Sequence, residues 1–265
     1  YLEEDIGLTG AHLSNADLTG ADMSGVKLDL WGLGPLDSRR DLNLQGCPAL
    51  SPPGWLCMGH KFVGPGVDMS YSNLSYVDLT DTDLSFVDLS NANLSHANLS
   101  EVDLSFADLS NANLRFTDLS NANLFDSDLS NTDLRFTDLS NADLRYTDMI
   151  NSDLSYTNLS NFDLSYAYLR GANLSYTNLN YINMESTNLS NSNLTGADLT
   201  GGDLSFVDLT GGDLSFVDLS GANLLAVRAI DLLECPASLP TEWQCISNNL
   251  VGPYADLTGT DLSYA

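Results

Sequence analysis

The chain reads as an all-β solenoid with four sides, and three observations predict it. From Met69 to Leu224 a Leu or Met falls on every fifth residue without a slip, giving 32 consecutive pentads, 29 with Leu and three with Met (Met69, Met149, Met184). A period of five is neither the 3.6 of a helix nor the 2 of a flat strand, so it reports a repeat architecture. Two residues before each Leu stands a small or β-branched residue (Ala, Val, Thr, Ser, Gly or Ile), with Phe162 as the exception. The residue immediately before the Leu is Asp in 19 pentads, Asn in 12 and Tyr once, at Tyr168.

Each pentad therefore offers one large and one small inward position, and the chain must turn a corner every five residues. Four sides close a coil of about 20 residues, and successive coils stack at roughly the 4.8 Å strand spacing. Eight such coils make a rod on the order of 38 Å long. Each coil buries its Leu layer only against its neighbours. The beat divides the chain into a first solenoid segment over 1–28 (Leu8, Leu13, Leu18, Met23, Leu28), an insertion over 29–67, the main solenoid over 68–224, a second insertion over 225–254, and a restart over 255–265 at Leu257 and Leu262.

Units such as Ala16-Asp17-Leu18-Thr19-Gly20 and Ala197-Asp198-Leu199-Thr200-Gly201 resemble the pentapeptide-repeat family, whose motif is A(D/N)LXX. The resemblance covers most of the chain. It implies a right-handed quadrilateral β-helix with Leu and Ala inside; the handedness comes from the family and not from the periodicity.

The two insertions are copies of each other at an offset of 188. Cys47-Pro48-Ala49 matches Cys235-Pro236-Ala237, Trp55 matches Trp243, Cys57 matches Cys245, and Val63-Gly64-Pro65 matches Val251-Gly252-Pro253. A zinc site would need more His or Cys nearby, and only His60 lies near one loop. Local disulfides Cys47–Cys57 and Cys235–Cys245 fit the spacing better and imply an oxidising compartment, with free buried thiols as the alternative. Either loop is suited to cover a solenoid end, its Trp laid on the Leu layer.

Residues 20 apart should form columns. One reads Phe86, Phe106, Asp126, Tyr146, Tyr166, Ser186, Phe206, and another, on the opposite side, Tyr76, His96, Phe116, Phe136, Tyr156, Tyr176, Gly196, Phe216. These aromatic ladders stabilise the rod by stacking, or else bind a neighbouring filament or a glycan. The remaining corners carry mainly Asn (Asn91, Asn111, Asn131, Asn151 and Asn121, Asn141, Asn161), which tolerates left-handed backbone. Asp68, Asp88, Asp108, Asp128 and Asp148 should also stack in a row. Their repulsion is offset if each carboxylate accepts backbone N–H bonds, and Ca²⁺ bridging between them is a second expectation. No other cofactor is expected.

The formal charge is −27, from 36 acidic against nine basic residues. That argues against nucleic acid or an anionic membrane as partners, and no apolar run is long enough for a bilayer. The seven Asn-Leu-Ser/Thr sequons (Asn73, Asn93, Asn98, Asn158, Asn173, Asn188, Asn193) are written by the repeat itself. The three histidines, His12, His60 and His96, lie in unrelated settings, and no catalytic set is visible.

The chain starts at Tyr1 without an initiator Met, as a processed or excised chain would. Placing Tyr264-Ala265 before Tyr1-Leu2 recreates Asp163-Leu164-Ser165-Tyr166-Ala167-Tyr168-Leu169, with Leu2 five residues after Leu262. This is a coincidence of repeats, one period of a longer tandem chain, or a head-to-tail contact between subunits. The leading expectation is a non-enzymatic extracellular or cell-surface structural protein that assembles end to end into a fibre. The family resemblance implies a second, an anionic DNA mimic that inhibits DNA gyrase, although no C-terminal dimerising helix is evident. A third is an adhesin or glycan-binding rod that uses the aromatic stripes.

Overall fold

A computed structural model describes residues 56–58 and 61–260. The first solenoid segment, Cys47, Trp55, Tyr1, Leu2, Tyr264 and Ala265 lie outside the described residues. So does any contact between the two chain ends.

The pentad is one side of a coil. Its Asp or Asn forms a single parallel bridge with the residue 20 positions on, from Asp68↔Asp88 to Asp218↔Ser238. The two residues after the Leu or Met turn the corner. At Met69–Ser72 the Ser72 N–H donates to Met69 O at 3.2 Å, and Tyr71 between them has φ 57°. A β-turn with positive φ at its third residue is the type II arrangement, repeated at corner after corner. Coils are joined by three backbone bonds per side, as when Met69 N–H donates to Asp88 O (2.7 Å), Tyr71 N–H to Ser90 O (2.9 Å) and Asp88 N–H to Val67 O (3.1 Å).

Inside, the Leu column is sealed from solvent, from Leu79 to Leu219 at 0–1 % exposure. Burying a Leu side chain stabilises by about 1.5–3 kcal/mol, and each coil contributes four. The small position lies beside it. Where that position is Thr or Ser, a core carbonyl can satisfy the hydroxyl, although Ser192 Oγ is buried without a partner. Thr117 Oγ1 donates to Leu94 O of the coil below (2.8 Å), and Ser127 Oγ donates to Leu124 O of its own turn (2.7 Å). At these positions the hydroxylated variants cost no unpaired donor.

Two hairpins flank the run of pentads. β1 (Leu56–Met58) pairs antiparallel with β2 (Lys61–Val63), and β3 (Gln244–Ile246) with β4 (Asn249–Val251). Their registers are the same at the 188-residue offset: Leu56↔Val63 matches Gln244↔Val251, and Cys57↔Phe62 matches Cys245↔Leu250.

The second hairpin does more than close an end. Asp256 N–H donates to Val227 O (2.9 Å), the bond Arg228 N–H makes to Val207 O one coil earlier. The coil from Arg228 to Asp256 thus takes 28 residues instead of 20, with the hairpin as an enlarged side, and the pentads resume above it in register. Leu250 is buried and its N–H donates to Ala229 O (2.9 Å). Trp243 packs, partly buried, on the core, and Gly252 leaves the room its indole needs, since a Cβ there would overlap the ring.

One junction departs from the pattern. The bridges that would join Asp138 to Asn158 and Asp143 to Asp163 are missing from an otherwise continuous series. Phe162 occupies the small inward slot here, half-buried against the core, and Ala142 directly below it is partly exposed although Ala92, Ala112 and Ala122 are sealed. The opposite side of the same two coils stays closed, with Asn151 N–H donating to Arg170 O at 3.0 Å. A ring in a slot built for a methyl group has wedged the coils apart on one side.

Candidate functional site

Among the described residues the functional candidates are the outer columns and the hairpins. Each inward Leu fixes its neighbours: the Asp or Asn before it faces out at a bridge, and the residue two after it stands on the left-handed corner.

The Asp column is oriented by its own backbone. Asp68, Asp88, Asp108, Asp128 and Asp148 each accept, through Oδ1, the N–H two residues on, at 2.8–3.0 Å. Elsewhere Asn Nδ2 donates to the Asp or Asn 20 residues below, as from Asn123 to Asp103 (3.0 Å) and Asn173 to Asp153 (3.0 Å). Mixing Asn into a column thus turns repulsion into a hydrogen bond. The calcium expectation finds no converging ligands: among the described residues no three His, Cys, Asp or Glu side chains gather as a cation site.

Several carboxyls lie below the usual carboxylate range. The hydrogen bond from Arg145 lowers Asp143, outweighing its partial burial, and those from Thr80 and Ser140 lower Asp78 and Asp138. Arg145 grips Asp143 with both guanidinium edges (2.9 and 2.6 Å), and Arg135 grips Asp133 likewise (2.8 and 2.6 Å).

Both aromatic ladders form. On one, Tyr76, His96, Phe116, Phe136, Tyr156 and Tyr176 stack with centroids 4.8–5.8 Å apart and planes within 13°. His96 is a stacking member between Tyr76 and Phe116. Tyr176 then lies against Gly196, where a Cβ would come within 2.8 Å of the ring. On the other ladder Phe86 stacks on Phe106 (4.9 Å) and Tyr146 on Tyr166 (5.8 Å). Between them, where the column has Asp126, Phe125 leans in edge-on to Phe106 (5.9 Å) and Tyr146 (5.4 Å). The column rule missed Phe125 because it belongs to the neighbouring register position; only an aromatic beside the gap hinted at it. Phe206 stands apart, with Ser186 below it and Ala226 above. Ladder residues are about half exposed, for example Phe116 at 45 % and Tyr156 at 55 %. Every ladder position from Tyr76 to Phe216 has positive φ, aromatics included.

Cys235 and Cys245 form a disulfide with Cα atoms 6.0 Å apart, tying the entry of the second insertion to β3. Cys57 is also disulfide-bonded.

Comparison with known sequences finds pentapeptide repeats, in eight copies, over residues 8–30 and, in overlapping segments, 88–224. The chain belongs to the pentapeptide repeat family. Its fold is accordingly the right-handed quadrilateral β-helix. Among solved structures it is similar to HetL of Nostoc sp. strain PCC 7120, a pentapeptide repeat protein involved in heterocyst differentiation regulation (29 % identity, 65 % of this chain and 86 % of that one, TM-score 0.26). It is also similar to a pentapeptide repeat protein of the Arabidopsis thaliana thylakoid lumen (31 % identity, 43 % and 65 %, TM-score 0.26). QnrB1, a plasmid-mediated fluoroquinolone resistance protein, matches at 19 % identity over 57 % and 76 % of the two chains, with TM-score 0.41. A search of curated proteins gives no match.

Proposed function

We propose that this pentapeptide repeat protein is a non-enzymatic structural rod of an oxidising, extracellular or cell-surface setting, in which solenoid segments separated by disulfide hairpins follow one another along a fibre. The observation that carries this reading is the 188-residue equivalence of the two hairpins. It extends beyond the strands: Gly66 and Tyr254, one period apart, share positive φ, and Asp68 and Asp256 each accept the N–H two residues on. The hairpin leads into a pentad both times, and the second time that pentad joins the old coil through the Asp256 N–H bond to Val227 O. A hairpin that leads back into pentads each time it occurs is suited to recur along a rod, whether along one chain or between subunits stacked head to tail.

Intact mass of the native material together with negative-stain microscopy tests this. Filaments, or a chain whose mass is a multiple of the hairpin-plus-solenoid period, are expected; a compact monodisperse monomer at micromolar concentration overturns it.

The formal charge of −27 also favours a second reading, mimicry of a DNA duplex toward gyrase. A supercoiling assay with purified protein separates the two, since the structural reading expects no inhibition.

A further inference from the structure

The split beside Phe162 is a built cleft rather than a packing fault. In the coil above, Leu159, Asn161 and Leu164 donate their N–H groups to Asn178 O (2.9 Å), Asn180 O (3.0 Å) and Asn183 O (2.7 Å). Their equivalents one coil earlier, Leu139, Asn141 and Leu144, make no such bonds to Asn158, Ser160 and Asp163. The opening leaves a cleft of about 320 Å³ walled by Ser140, Asn141, Asn158, Ser160 and Asn161, with Phe162 and Asp163 at its upper coil. Both lips carry freed backbone groups of both kinds: N–H of Leu139, Asn141 and Leu144 with the carbonyls of Thr137 and Ala142 below, and N–H of Asn158 and Asp163 with their carbonyls above.

We infer that this cleft binds a single neutral saccharide ring. Its size lies at the small end of ligand pockets, roughly 300–1,000 Å³. An inserted peptide strand does not fit. A strand would have to run out past the two flanking corners, and these stay closed, with the ladders only 5.8 Å apart at Phe136–Tyr156 and Tyr146–Tyr166, whereas a single ring stays between them. An anion meets Asp163 in the wall, and Arg145, whose charge acts on Asp163, is already held by Asp143. A metal ion lacks a converging ligand set among the described residues. Sugar hydroxyls both donate and accept, matching the mixture of donors and acceptors on each lip, and a pyranose C–H face suits the Phe162 ring.

The test uses the full chain with its disulfides intact, titrated by calorimetry and ligand-observed NMR with glucose, galactose, mannose and N-acetylglucosamine. Sodium phosphate and tetraglycine serve as controls. At least one sugar should saturate with a Kd on the order of 1 mM or tighter. Phe162→Ala restores the pentad slot. It should protect the Leu139, Asn141 and Leu144 amides from hydrogen exchange and weaken sugar binding about tenfold or more. Asn161→Gly keeps the left-handed corner, removes one amide from the wall, and should weaken binding several-fold without changing the melting temperature. Absence of saturation by all four sugars at roughly 20 mM, tighter binding of phosphate or tetraglycine, or undiminished binding by Phe162→Ala overturns the proposal.

Discussion

Phe116 has φ 58°, a backbone conformation that costs a bulky L-residue about 1–2 kcal/mol. Its ring stacks on His96 at 4.9 Å and on Phe136 at 5.1 Å, and each such pair returns about 0.5–1.5 kcal/mol. The ladder therefore offsets the strain of its own corners. Phe116→Ala keeps the strained φ and loses both stacks, so denaturant unfolding should show a loss of about 1–3 kcal/mol. Asn111→Ala, at a corner with φ 60°, should lose only about 1 kcal/mol, because Asn tolerates the left-handed region better than Ala. The depressed carboxyls set the acid response. Asp78, Asp138 and Asp143 titrate lower in the folded chain than in the unfolded one, so their contribution is present at neutral pH and is lost as pH falls through the folded values. Melting temperature should decline from about pH 4 downward, and Asp143→Asn should flatten that decline.

The pentad itself was legible in the sequence as an element. Leu and its small partner point inward, residues 20 apart stack, and the Asp carboxylates take the backbone N–H groups. What the pattern could not carry was backbone conformation, since aromatic and Asn corners look unlike in letters yet share one positive φ. Nor could it show that Phe125 would lean across the gap at Asp126, which depends on side-chain reach between coils. Phe162 was visible as an exception in composition, but its consequence, a split on one side only, required the packing of two coils. The insertions were legible as copies, while their role as an enlarged side of a continuing coil was not. For this element the disulfide matters most. The Cys235–Cys245 closure spans ten residues, and removing it by Cys235→Ser with Cys245→Ser should cost about 2–3 kcal/mol. Hydrogen exchange should localise the loss to the amides of Leu250 and Leu232 before it reaches the inner coils.

At the scale of the molecule, coils are linked mainly by backbone bonds that run along the rod axis. Tension applied at the two ends therefore loads these bonds in series, coil after coil, and the weakest junction yields first. Among the described coils that junction is the one beside Phe162, where two bridges are already absent. Single-molecule stretching should show an initial low-force extension that Phe162→Ala abolishes, followed by stepwise unravelling of whole coils. A stiff spring with one compliant link gives way at a fixed place and can close again, sparing the remaining coils when the fibre is strained.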